Sequence, residues 1–145
     1  MKVAETSRPS SRFSMIGLLK QRWPSLLAIA IAATGLPASA DPMSMILIFA
    51  ALVYPISGSI RGHLRGARTI LFQAVALLVF VAIALLALYT DRETGLVLLA
   101  AGYLGHTVWD IIHHRADHMV RRGYAEFCAV LDLIIAVLLL VPVFS

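Results

Sequence analysis

Residues 69–89 carry no charged side chain, and this uncharged run of 21 residues constrains the fold more than any other feature of the sequence. An apolar segment of that length is long enough to cross the hydrocarbon core of a bilayer as a helix. The whole chain agrees, because 60% of its residues are apolar and 14% are charged, whereas about 25% of the residues in a soluble domain are charged. The composition argues against a soluble enzyme, and the single cysteine, Cys128, argues against a disulfide-stabilised secreted scaffold.

Three more apolar runs have comparable length, and short polar connectors separate them. At 1.5 Å per residue, each run is long enough to cross a core about 30 Å thick. The sequence therefore predicts an all-α integral membrane protein, with a bundle of four transmembrane helices in residues 41–145. The predicted spans are residues 42–60, 69–89, 95–112 and 124–143.

Residues 1–40 resemble a secretory leader. A basic stretch precedes a short apolar segment at residues 25–40, which ends in Ala38-Ser39-Ala40. This order of basic region, apolar core and small-residue ending is typical of a signal peptide. We therefore predict cleavage after Ala40, and the alternative is an uncleaved, short first membrane helix.

The basic residues are placed as they are in bacterial inner-membrane proteins. The connectors 61–68 and 113–123 are basic, whereas the connector 90–94 holds Asp91 and Glu93. With the N-terminus inside, eleven of the twelve Lys and Arg residues lie on the cytoplasmic side. The net charge of +4 is thereby explained by membrane topology, and we predict the lipid bilayer, not nucleic acid, as the partner of this surface.

Ionisable residues are concentrated in the third and fourth spans. Four of the five histidines lie in residues 106–118. At about 100° per residue, His106, Asp110, His113 and Asp117 form one stripe of a helix. In an antiparallel hairpin that turns near residue 119, His106 falls opposite Asp132 and Asp110 falls opposite Cys128. Two helices are thus predicted to direct these groups toward one buried volume.

A charged Asp in the middle of a membrane helix opposes insertion by about 2.5–3.5 kcal/mol, so these residues are functional candidates. Imidazoles and carboxylates at this spacing suit zinc, iron or manganese. The predicted metal ligands are His106, Asp110, His113 and Asp132. The residues predicted to surround them are Trp109, His114, Asp117 and Cys128, although His114 and Asp117 are also explained as a polar collar facing lipid head groups.

Several functions are compatible with this pattern. A metal site would support hydrolysis of a lipid-soluble substrate by metal-activated water, with Asp110 or Asp132 as the general base. The alternatives are a small proton-coupled or ion carrier, an accessory subunit of a larger membrane complex, and a purely structural set of interhelical bonds. A homo-oligomer is expected for a carrier, because four short helices leave little room for a pathway. Gln73, deep in the second span, predicts a hydrogen bond between helices.

The signature His106-x-x-Trp109-Asp110-x-x-His113-His114, followed by Cys128-Ala129-x-x-Asp132, resembles that of a family of small bacterial polytopic membrane proteins that share a domain of unknown function. The resemblance covers the last two spans, and the connector 115–123 departs from the pattern because it is short and basic. It implies a compact four-span protein whose polar residues belong together. It implies no activity.

Overall fold

The computed structural model describes residues 15–37 and 39–145, and this part of the chain contains six α-helices and no β-strand. Residues 1–14, at the start of the predicted leader, and Ala38, in its Ala-Ser-Ala ending, lie outside the described residues. The helices are α1 (Met15–Gln21), α2 (Trp23–Ala33), α3 (Ala40–Ile60), α4 (Ala67–Tyr89), α5 (Arg92–Ala116) and α6 (Arg122–Phe144).

Helices α3 to α6 are each long and apolar enough to cross a membrane, so the all-α class and the four spans are confirmed. Each helix extends beyond its predicted span at one end or both, because polar residues continue the helix past the apolar run. At the start of α5, for example, the Asp91 side chain accepts a hydrogen bond from the backbone N–H of Thr94 at 3.1 Å. This N-cap lowers the pKa of the exposed Asp91 carboxyl, because its bonds to Thr94 favour the charged form.

The four long helices form two antiparallel hairpins that pack against each other. Helix α3 packs along α4, and α5 packs along α6, while α4 and α3 both contact α5. The basic end of the bundle, defined by connectors 61–66 and 117–121, is where α3 and α5 end and where α4 and α6 begin.

Helix α5 lies at the centre of this arrangement, and a glycine allows its neighbours to approach. A Cβ atom at Gly102 would lie 2.8 Å from Cδ2 of Leu47 in α3 and 3.0 Å from Cγ2 of Ile83 in α4. Ten residues of α5 are buried, including Leu99, Tyr103 and His106. Much of α4, by contrast, exposes large apolar side chains such as Leu78, as a helix that faces lipid does. The bundle therefore fits association with a bilayer.

The short helix α2 packs on α6. Arg22 Nη1 lies 3.2 Å from Oε1 of Glu126, and the Ser25 hydroxyl donates to the same carboxylate oxygen. Ala40, after which cleavage is predicted, is the first residue of α3.

Candidate metal centre

His106 and Asp132 join the two helices of the second hairpin. Nδ1 of His106 donates a hydrogen bond to Oδ2 of Asp132 at 2.7 Å. His106 lies ten residues before the end of α5 and Asp132 ten residues after the start of α6. Both therefore lie about 15 Å from the basic end at 1.5 Å per residue. The predicted register of the hairpin, with His106 opposite Asp132, is confirmed.

Asp110 lies one helical turn after His106 and is fixed by a third helix. Its Oδ2 lies 3.4 Å from Nδ1 of His106, and its Oδ1 accepts a hydrogen bond from the hydroxyl of Tyr54 in α3. Oδ2 of Asp110 and Nε2 of His106 are both buried, and neither has a hydrogen-bond partner among the described residues. The site thus contains polar atoms whose bonding capacity the described protein groups leave unused.

The side chains of His106, Asp110 and Asp132 form one compact group, which we call the HDD cluster. One ligand atom from each lies within 4.8 Å of the others, and the residues are 0%, 0% and 3% exposed. Two ligands of a tetrahedral zinc ion lie about 3.3 Å apart, close to the 3.4 Å between His106 Nδ1 and Asp110 Oδ2. The cluster can therefore hold a metal ion.

Aromatic rings cover the cluster on the sides that α3 and α4 provide. The Phe80 ring of α4 meets the His106 ring edge-on, with the ring centres 4.9 Å apart. The Tyr54 ring of α3 also meets His106 edge-on, at 5.7 Å. The outer side of this wall is Trp109, whose ring packs against Phe80, Tyr54 and Phe72.

His113, a predicted ligand, is placed beside the HDD cluster and not within it. Its Nδ1 donates to the carbonyl oxygen of Trp109 at 2.9 Å. Its Nε2 accepts from the side-chain amide of Gln73 in α4 at 3.0 Å. Both ring nitrogens are therefore already bonded, and the interhelical hydrogen bond predicted for Gln73 is confirmed.

The four residues predicted to surround the ligands have different positions. Trp109 belongs to the aromatic wall, and Cys128 is buried on α6 one turn before Asp132. His114 is half-buried and lines grooves with Arg22 and Glu126, on the face of the bundle that α2 covers. Asp117 lies past the end of α5 in a left-handed conformation with φ of 48°.

Asp117 is separated from the stripe because the helix stops before it. Its exposed carboxylate lies 3.4 Å from Nε of Arg122 at the start of α6. Seven residues of helix separate it from Asp110, which corresponds to about 10 Å along the axis. A helical wheel shows only the angle of each residue around the helix axis. It shows neither the distance along the axis nor the residue at which the helix ends.

Tyr54 is a residue of this site that the sequence did not reveal. It is 0% exposed and is the partner of Asp110, yet it lies in an apolar run where a tyrosine is common. The one signal in the sequence was Asp110, because a carboxylate buried away from water requires a hydrogen-bond donor. This signal indicates that a donor exists but not which residue provides it.

No protein-family model, no curated protein and no solved structure matches the chain. The function must therefore be inferred from the geometry of the HDD cluster and the surfaces around it.

Proposed function

We propose that the chain is an integral membrane protein that binds a divalent transition-metal ion at His106, Asp110 and Asp132. One observation carries this proposal: three ligand atoms from two helices lie within 4.8 Å of one another in the buried centre of the bundle. Oδ2 of Asp110 has no hydrogen-bond partner in the part of the chain that the structure describes, and this supports the proposal further, because a buried carboxylate oxygen without a partner is costly.

Charge balance also favours a divalent ion. Two carboxylates carry two negative charges, and the single imidazole compensates at most one of them. An isolated charge in the interior of a membrane is expensive, whereas a divalent cation with two carboxylates and a neutral imidazole is neutral. Binding through Nδ1 of His106 would require that this nitrogen give up the proton that it donates to Asp132, and the neutral imidazole would then carry its one proton on Nε2.

The donor set narrows the choice of metal. One imidazole with two carboxylates suits zinc, iron and manganese and does not suit copper(I), which prefers sulfur. Cys128 is buried nearby on α6 but is not part of the cluster. Three protein ligands leave coordination positions open, as in catalytic sites, and a metal there would supply a Lewis acid and an activated water. A lipid-soluble substrate is the class that can reach such a site.

The proposal is tested by loading the purified full chain with Zn²⁺, Fe²⁺ or Mn²⁺ and measuring the bound metal by elemental mass spectrometry. We expect stoichiometric binding of one of these ions by the wild type and its loss in Asp132→Asn, which preserves side-chain volume. His114→Ala is the matched control, because it removes a histidine of the same helix that faces α2. Equal, sub-stoichiometric metal in the wild type and Asp132→Asn would overturn the proposal.

A proton relay is the second candidate, and the hydrogen-bonded groups that link three helices favour it. Tyr54 bonds Asp110, and His106 bonds Asp132, and such series of Asp and His residues carry protons in pumps and carriers. Proton flux into proteoliposomes that persists in the presence of a chelator and stops in Asp132→Asn would favour the relay over the metal site. Absence of flux would reject it.

The cellular placement completes the proposal. We infer a multi-pass protein of a bacterial inner membrane with its basic end in the cytoplasm and a leader removed after Ala40, related to the small polytopic family that its signature resembles. Intact-mass spectrometry of the mature chain tests the leader. A mature chain that begins at Asp41 supports cleavage, and a chain that retains α2 overturns it.

A further inference from the structure

A groove runs along the junction of α4 and α5, and its two parts differ in polarity. At the basic end it is a pocket of about 410 Å³, lined by residues that include Arg68, Phe72, Gln73, His113 and His118. Farther into the bundle it is a wholly apolar depression of about 260 Å³. Phe72 lines both parts, so the two form one continuous surface.

The polar part contains buried hydrogen-bonding groups, which is unusual for a surface that faces lipid. Gln73 is 3% exposed and His113 is 5% exposed, and both line the pocket. Their mutual bond uses one amide N–H of Gln73, which leaves its second N–H for another acceptor. Among the described residues that line the pocket, Arg68, exposed at the mouth, is the one with a permanent charge. The pocket therefore offers the positive charge of Arg68, with the second amide N–H of Gln73 behind it.

The apolar part forms an open track along one face of α4. Phe72, Val75, Ala76 and Val79 follow the same face of α4, and Phe80 and Trp109 close its inner side. From Arg68 to Val79 the track covers about 16 Å at 1.5 Å per residue. One track with one charge at its mouth fits a molecule with one hydrocarbon chain and one negative charge, whereas a phospholipid has two chains.

We propose that this groove binds a long-chain fatty acid, with its carboxylate at Arg68 and its chain along α4 as far as Trp109. The carboxylate would pair with the Arg68 guanidinium and accept a bond from Gln73, as charged acceptors do with arginine and amide donors. The end of the chain would lie against the Trp109–Phe80 wall, with the His106 ring directly behind Phe80. Binding in the groove does not depend on a metal in the HDD cluster.

The test uses the full chain in phosphatidylcholine nanodiscs and palmitic acid that carries a photoreactive diazirine near the end of its chain. After illumination, peptide mass spectrometry locates the labelled residues. We expect labelling concentrated on residues 72–80 and at Trp109. Because one arginine near a membrane surface contributes only modestly to anion binding, Arg68→Gln should lower the labelling about five-fold.

Two pairs of variants separate specific binding from general contact with lipid. Arg65→Gln removes the same charge three residues earlier, in the connector before α4 and outside the groove lining, and it should leave the labelling unchanged. Val79→Trp should fill the track and reduce labelling with Arg68 intact, whereas Val137→Trp, on the exposed face of α6, should have no effect. All four positions are exposed, so the variants are expected to fold.

Three results would overturn the proposal. The first is labelling spread evenly over the exposed faces of α4 and α6. The second is equal labelling by the uncharged methyl ester of the probe, because the groove would then recognise only an apolar chain. The third is stronger labelling by a diazirine phosphatidylglycerol than by the fatty acid, which would assign the groove to a membrane phospholipid. Each result is independent of the metal measurement.

Discussion

The hydrogen bond from Tyr54 to Asp110 can be tested by removing only the hydroxyl group. Tyr54→Phe preserves the ring that packs against His106 and removes the donor to Oδ1 of Asp110. Since both residues are 0% exposed, water cannot replace the donor without opening the bundle. The substitution therefore leaves a buried carboxylate with one bond fewer.

Two ranges of hydrogen-bond energy apply to the loss of stability expected in Tyr54→Phe. Hydrogen bonds between membrane helices contribute about 0.6 kcal/mol on average and about 1.7 kcal/mol at most. Bonds to charged groups in soluble proteins contribute about 1.5–3 kcal/mol. Because the acceptor is a carboxyl group but the unfolded state in a membrane also finds partners, we expect a loss of about 1.5 kcal/mol, between the two ranges. This is slightly more than a tenfold change in the unfolding equilibrium constant.

The assay is reversible unfolding of the metal-free protein in mixed micelles, titrated with a denaturing detergent and followed by circular dichroism. Tyr103→Phe is an internal comparison, because that hydroxyl donates to the carbonyl oxygen of Met43 at 2.7 Å, a neutral acceptor, and its loss should cost less. Tyr89→Phe is the control at a residue that is 87% exposed. In the background of Asp110→Asn, the cost of Tyr54→Phe should fall by about half, since the acceptor is then neutral.

Equal stabilities of wild type and Tyr54→Phe would refute this reasoning. Equal losses in Tyr54→Phe and Tyr103→Phe would show that the charge of Asp110 contributes nothing to the bond. A loss that the Asp110→Asn background leaves unchanged would show that the hydroxyl acts through packing alone.

Three further predictions concern the helices themselves. In Gly95→Ala a Cβ atom would lie 2.7 Å from the carbonyl oxygen of Ala87, so we expect a loss of about 1–3 kcal/mol in the free energy of unfolding, measured by the same detergent titration. Gly105→Ala is expected to stabilise by up to about 1 kcal/mol, because its Cβ would lie 3.6 Å from the nearest side chain and alanine favours a helix; a loss there would contradict the packing described. Asp91→Ala should lower the melting temperature at neutral pH. Since the pKa of Asp91 is lowered from its ordinary value of 3.8 by its bonds to Thr94, the stabilisation is present above that value and is lost as the pH falls through the lowered pKa. A difference between wild type and Asp91→Ala that does not shrink on acidification would contradict the cap.

The helices could be predicted from the sequence because each depends on information within its own residues. An uncharged run such as residues 69–89 has one stable state in a membrane, and the helix found there begins only two residues earlier, at Ala67. The pairing of His106 with Asp132 was also predictable, since a short connector forces α5 and α6 to be antiparallel and fixes which residues share a depth. Both inferences use geometry along the chain.

The rest of the site depends on contacts between segments distant in the sequence. Tyr54 reaches Asp110 only because α3 packs against α5, and nothing in residues 40–60 specifies that neighbour. His113 lies on the predicted stripe, but Gln73 of α4 occupies its Nε2. A helical wheel shows which way a side chain points and contains no information about which group from another helix meets it there.

The aromatic wall beside His106 would affect how fast an ion exchanges as well as whether it binds. On the sides of α3 and α4, the rings of Tyr54 and Phe80 cover His106, and an ion that left the HDD cluster on these sides would have to displace them. Exchange would then be governed by separation of α3 and α4 from α5, a slow partial unfolding. Loading of the purified chain and removal of the ion by a chelator would then both be slow, at a rate set by the opening of the bundle and not by the concentration of metal or chelator.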